Sequence, residues 1–185
     1  MLGRRLDAGN IVRRRCAAAD ACPESTDRLR LDLVLTPFRR RPGDHEAYGR
    51  QQRTGLPAHL LGQLESFLQG PVPEGQDVIL TGEYTPFNLL HQGSGLSGMF
   101  DFGDGLVGPH EYDWLGPLCF LAAGDAARID ALFDGYHGRP FDRRLREALL
   151  RLMLLHRYSH LKAQIAMPDW QAAPDFGTLA ALIWP

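Results

Sequence analysis

The sequence predicts an α+β fold that is mostly helical. Apolar residues recur at helical spacing over 56–68 and again from about residue 110 to 166, and three short apolar runs separated by turn residues lie between them at 77–102. A length of 185 residues suffices for one core. Residues 1–42 stand apart as an Arg-rich, poorly defined amino-terminal segment; residues 43–185 form the domain proper, with its motif-bearing core at 77–121.

Each element follows from a local pattern. Residues 1–26 hold neither period, whereas RLRLDLVLT (28–36) alternates Leu29, Leu31, Leu33 and Leu35 with Arg30, Asp32 and Val34, the pattern of a half-buried strand, which Pro37 closes. FRRRPGDHE (38–46) has the Pro-Gly punctuation of a linker. Leu56, Leu60, Leu61, Leu64, Phe67 and Leu68 then share one helix face, with Pro57 suited to the first turn and Gly70 to the stop, before the loop PVPEGQ (71–76). DVILT (77–81), FNLLH (87–91) and LSGMFDF (96–102) read as small strands, the last two joined by QGSG as a β-hairpin.

Beyond residue 110 the pattern is helical. A segment around EYDWLG is expected to break at Pro117, and DAARIDALFDGY (125–136) is expected to be capped by Asp125 and to bury Ile129, Leu132, Phe133 and Tyr136. A long helix over 142–166 has Asp142 as its cap and ends before Pro168; its centre, LLRLMLL, is apolar nearly all round and belongs deep in the core. No internal repeat is present.

Composition narrows the function classes. No apolar run is long enough to cross a bilayer and no secretory leader pattern occurs, which predicts a cytoplasmic protein without a membrane partner. Cys16, Cys22 and Cys119 follow no metal-ligand or redox spacing and read as small hydrophobes or free thiols. Residues 1–42 carry ten Arg against five acids, and the remainder ten basic residues against seventeen acidic ones. The arginines lack interleaved aromatics, so no nucleic-acid partner is expected.

Two motif-like spacings carry no chemistry. Gly93, Gly95 and Gly98 spell G-x-G-x-x-G, but a strand-like run follows where a phosphate-binding motif needs a helix N-terminus; the glycines read as hairpin residues. His156 and His160 lie one helical turn apart without a third ligand, and read as packing or hydrogen-bonding residues.

Glu83, Asn88, Asp101 and Asp113 form the constellation that remains. Phosphoryl transfer needs a carboxylate to orient the attacking hydroxyl and hard oxygen ligands to hold magnesium against nucleotide phosphates. Glu83 and Asn88 lie on one loop, and the hairpin returns Asp101 beside it. In these residues, ILTGEYTPFNLL followed by GLSGMFDFGDGLVGPHEYDWLG, the chain resembles the catalytic core of the aminoglycoside phosphotransferase family, which shares the protein-kinase-like fold with choline kinases. The resemblance is strongest over 77–121 and extends across the helices to about 166.

The resemblance implies ATP and Mg2+ as cofactors and a small-molecule hydroxyl as acceptor. It places Glu83 at the catalytic aspartate, Asn88 at the magnesium-binding asparagine, Asp101 at the second metal-binding acid, and Asp113 at an aspartate that braces the catalytic region. Thr81 stands where the motif has histidine, and Glu83 is one methylene longer than the family's aspartate. Some eighty residues precede the loop, with one candidate strand, no glycine-rich loop and no lysine, so the chain resembles the carboxy-terminal lobe of the kinase-like fold alone. The acidic surplus after residue 42 suits a cationic acceptor such as an aminosugar. The alternative is a non-catalytic, pseudokinase-like interaction module or a truncated remnant.

Overall fold

The computed structural model describes residues 45–156 and 158–185. The candidate strand 28–36, its Pro37 stop and the Arg-rich segment lie outside the described residues.

Helix α1 (His45–Arg53) begins inside the stretch expected to be linker. Its residues, HEAYGRQQR, carry no apolar stripe, which is why periodicity does not reveal it. It docks through buried hydrogen bonds instead: Gln51 Nε2 donates to the Leu154 carbonyl at 2.9 Å and to Ser159 Oγ at 2.8 Å. Helix α2 (Ala58–Leu68) forms as expected, with Leu60 and Leu64 buried and Pro57 at its N-cap. Arg151 closes its far end, donating from Nε to the Phe67 carbonyl at 2.8 Å while its guanidinium lies 4.4 Å from the Phe67 ring centroid.

Four strands then form two nested antiparallel pairs. β1 (Asp77–Leu80) pairs with β4 (Leu106–Pro109), from Asp77 opposite Pro109 to Leu80 opposite Leu106. Between them, β2 (Leu89–Gln92) and β3 (Gly95–Met99) make the expected hairpin, turning at Gly93 and Ser94, with Gly93 at φ +60°. Gly95 and Gly98 lie in β3, as strand residues of the hairpin. The sequence reading has no strand at β4, whose four residues LVGP include a glycine and a proline and show no alternation.

Five helices complete the described chain: α3 (Glu111–Phe120), α4 (Ala126–His137), α5 (Arg146–Leu155), α6 (Leu161–Gln164) and α7 (Phe176–Ile183). Pro117 does not break α3. The ring removes only the bond its own N–H would have made, and the Pro117 carbonyl accepts from both Leu121 and Ala122 N–H at 3.0 and 3.2 Å, so the helix end past the proline stays bonded. Asp125 caps α4, accepting from the Arg128 N–H at 3.1 Å, and Gly138 ends it at φ +68°. Ile129 and Phe133 are buried, with Leu132 and Tyr136 packed against the core.

The helix expected over 142–166 is divided. Asp142 caps a 3-10 turn (Arg143–Leu145), α5 ends at Leu155, and His156 turns out of the helix at ψ 135°. The carbonyls of Leu154 and Leu155, which the next turn would have used, accept instead from Gln51 Nε2 and Arg50 Nη2 of α1, so partners distant in sequence end the helix. The apolar centre behaves as expected: Leu149, Leu150, Leu152, Met153, Leu154 and Leu155 are all buried. Helix α7 is absent from the sequence reading, although Asp175 caps it and Phe176, Leu179, Ala180 and Ile183 repeat at helical spacing on its buried face.

Candidate active site

The site lies in the gap between the two strand pairs. From Leu80 the chain leaves the β1–β4 ladder, runs through loop 81–88, traverses the hairpin, returns through 100–105 and rejoins the ladder at Leu106, directly opposite Leu80. That topology holds TGEYTPFN and FDFGDG against each other. Gly82, at φ +77°, is where they touch, since a Cβ there would overlap the Asp104 carbonyl oxygen. Only glycine satisfies both its conformation and the approach.

Asn88 is buried, 8 % exposed, at the end of a 3-10 turn (Pro86–Asn88). Its Nδ2 donates to the Glu83 carbonyl at 3.0 Å, and its own carbonyl accepts from the Phe100 N–H at 3.1 Å, one pair beyond Leu89 opposite Met99. The hairpin ladder therefore ends on Asn88, and Asp101 is the next residue on the opposing strand. Asp101 has φ +60°, a left-handed conformation uncommon outside glycine, although aspartate and asparagine adopt it more readily than other residues. Its carboxylate is exposed, and among the described residues no group bonds it.

Glu83 is half-buried, and its carbonyl accepts from the Thr85 N–H at 2.9 Å as well as from Asn88. Asp113, in the first turn of α3, anchors the start of the loop, accepting from the Thr81 N–H at 2.8 Å, the Thr81 hydroxyl at 3.1 Å and the Gly82 N–H at 3.2 Å. Burial pushes its carboxyl above the usual carboxylate range, against the downward pull of the bonds from Thr81 and Gly82. Asp113 is thus the brace the resemblance implies, and Thr81, in place of histidine, supplies two of the three donors. Tyr84 is also raised, by burial first and then by the Asp113 carboxylate. Its carbonyl lies so close to Gly116 that a Cβ there would overlap it, which seats the loop on α3.

These residues fit a magnesium–nucleotide site in kind. Asn88 spends its amide donor on Glu83 and keeps Oδ1, while Asp101 keeps a carboxylate; both are hard oxygen ligands. Among the described residues there is no group of three or more His, Cys, Asp and Glu able to hold a metal, but magnesium bound with phosphates and waters needs only one or two protein oxygens. The two histidines expected one turn apart fall on either side of the helix break: His156 stacks on Tyr112 at 4.6 Å, and His160 precedes α6.

A family model described as phosphotransferase enzyme family matches residues 8–171. The chain belongs to this family. The match takes in every element from α1 to α6 and begins within the Arg-rich segment. No curated protein matches the chain closely enough to count as a relative.

Two participants escape the sequence reading. Asp104, whose carbonyl meets Gly82, sits in the DFGD run but without a role, and Tyr158, whose hydroxyl donates to Asp104 Oδ2 at 3.2 Å, falls inside a helix that does not form. No local signal marks Tyr158, because its placement depends on α1 ending α5. No helix among the described residues is long and apolar enough to cross a membrane.

Proposed function

We propose that this phosphotransferase-family chain carries the carboxy-terminal lobe of a kinase-like fold and transfers the γ-phosphoryl group of ATP to a hydroxyl of a small, cationic acceptor. The observation that carries the reading is the hydrogen bond from Phe100 N–H to the Asn88 carbonyl, which brings Asp101 beside the loop bearing Glu83 and Asn88. Glu83 orients the acceptor hydroxyl and takes its proton as the oxygen bonds to the γ-phosphorus and the bond from that phosphorus to the departing ADP breaks; Asn88 Oδ1 and the Asp101 carboxylate would hold the metal. When bound, Mg-ATP supplies the phosphoryl group and the charge neutralisation that transfer requires.

Asp113 does no chemistry in this scheme. It fixes Thr81 and Gly82, and so the direction in which Glu83 leaves the backbone. Glutamate adds a methylene at this position, and because a misplacement of about an ångström would cost about 100-fold in rate, turnover in this scheme requires a compensating shift of the loop backbone.

The reading is tested by incubating the protein with Mg-ATP and a panel of aminosugars and amino alcohols, with mass spectrometry of the acceptors. A gain of one phosphoryl group, lost in Asp101→Asn and strongly reduced in Glu83→Gln, supports it. No phosphorylated acceptor, together with a melting temperature unmoved by Mg-ATP, contradicts it.

One observation favours a second reading, a binding module without turnover. Phe87, Leu90, Leu96, Phe100 and Phe102 are all exposed on or beside the hairpin, an apolar surface that a partner could cover. This surface adjoins Asn88 and Asp101, so it serves equally as the floor of a nucleotide site. Mg-ATP binding without transfer to any acceptor is the outcome that the second reading expects.

A further inference from the structure

The break between α5 and α6 interrupts a segment whose sequence continues to favour helix, and His156 and the residues 158–160 are held on several sides. Ser159 is buried and accepts from Gln51 Nε2; the Tyr158 N–H donates to His156 Nδ1 at 3.1 Å; the Tyr158 carbonyl accepts from Gln164 Nε2 at 3.2 Å. His156 stacks on Tyr112, the residue before Asp113. A tyrosine so held, yet 47 % exposed, directs its hydroxyl to Asp104 Oδ2, three residues beyond Asp101. Asp104 in turn presses its carbonyl against Gly82, one residue before Glu83.

We propose that Tyr158 is a positioning residue for phosphoryl transfer: acting through Asp104, it fixes the 101–105 segment over Gly82 and so sets Asp101 relative to Glu83 and Asn88. The inference rests on the phosphotransferase reading of the site. Its physical basis is constraint. Asp101 stands at φ +60°, and the Phe100–Asn88 bond fixes the chain only on its amino-terminal side. On the carboxy-terminal side the next ladder pair is Leu106 opposite Leu80, which leaves Phe102–Gly105 to be held by other contacts. The Gly105 N–H bond to the Phe102 carbonyl is internal to the segment, whereas the tyrosine joins it to the helical layer. A metal ligand held on both sides keeps the geometry that binding needs, and loosening one support weakens binding without removing a ligand.

The test uses the full chain and four variants: Tyr158→Phe, Asp104→Ala, the two combined, and Asp101→Asn. Amide hydrogen exchange without nucleotide is expected to be about 3–10-fold faster over 102–105 in Tyr158→Phe, as for loss of one solvent-exposed hydrogen bond of ordinary net strength, with α5 unchanged. In the melting-temperature titration with Mg-ATP, Tyr158→Phe is expected to shift the midpoint to about 3–10-fold higher Mg-ATP while its ligand-free melting temperature stays close to wild type. Adding Tyr158→Phe to Asp104→Ala should cost nothing further, because the shared bond is already gone. Unchanged exchange over 102–105, or a Mg-ATP midpoint equal to wild type, overturns the inference while leaving the nucleotide site standing. If Mg-ATP moves the melting temperature of neither wild type nor Asp101→Asn, the phosphotransferase reading fails and this role for Tyr158 fails with it, even where exchange responds.

Discussion

In α5, Leu149, Leu150, Leu152, Met153, Leu154 and Leu155 are withdrawn from water, whereas across the hairpin Leu90, Leu96 and Phe100 stand exposed, with Phe87 75 % exposed at the edge of the loop. Both regions carry large apolar side chains, and they use that character differently. The helical layer buries it to hold the fold together. The hairpin owes its place to backbone pairing and to its junction with Asn88, and leaves its side chains on a surface beside Asp101. Under the proposed function, this exposed apolar surface borders the nucleotide.

Substitutions should separate the two regions. Phe133→Ala, which empties a site among Trp114, Phe141 and His137, is expected to cost about 3–5 kcal/mol in chemical denaturation. Leu90→Ser on the exposed face should change stability by no more than about 0.5 kcal/mol while weakening Mg-ATP binding in the same titration that monitors melting. Equal stability losses for both would erase the distinction.

Next in size is the junction between the regions. Gly82→Ala introduces a Cβ that overlaps the Asp104 carbonyl at a positive φ, and should lower phosphoryl transfer by about 100-fold through misplacement of Glu83. Retained turnover in that variant would show that the two loop segments need not touch. Asp113→Ala, which strips an acceptor from Thr81 and Gly82, should cost about 1–3 kcal/mol of stability.

The same aspartate has a pH signature. Because burial raises its pKa, the native state binds its proton at higher pH than the unfolded chain does. Its contribution therefore makes stability fall as pH rises from the unfolded value of about 3.9 through the native one. Denaturation curves across that window should decline less steeply in Asp113→Asn; parallel curves would mean that the buried carboxylate is not the titrating group.

The smallest effect belongs to the core thiol. Cys119 is fully buried and its pKa is pushed up to about 12, so in a Cys16→Ser/Cys22→Ser protein a thiol reagent at pH 8 should react only as fast as the chain opens. Rapid labelling of the folded protein would place Cys119 outside the core.

Much of this was legible in the sequence, because the informative residues act on near neighbours. Asp125 and Asp142 cap the turns next to them, the Leu-rich centre of α5 is buried, and the hairpin is closed by Gly93 and Ser94 where the glycine spacing placed a turn. Glu83, Asn88 and Asp101 are drawn together by a hairpin that short-range turn signals reveal. The misses involve residues far apart in the chain. Helix α1 is polar and is fixed by bonds to residues more than a hundred positions away; the same bonds end α5 and put Tyr158 beside Asp104. Strand β4 exists because β1 pairs with it, and Pro117 sits within α3 because a single lost N–H is tolerated there. Helix α7 is different: its cap and its period are in the sequence, and local reasoning could have found it.

The central claim, that Asn88 and Asp101 form a magnesium–nucleotide site, is tested most directly by calorimetric titration of ATP into the full chain, with Mg2+ and then with the metal chelated. Saturable binding is expected that requires Mg2+ and weakens by at least about 10–100-fold in Asp101→Asn. Binding that is absent with Mg2+ present, or that is the same in Asp101→Asn as in the unaltered chain, would contradict it.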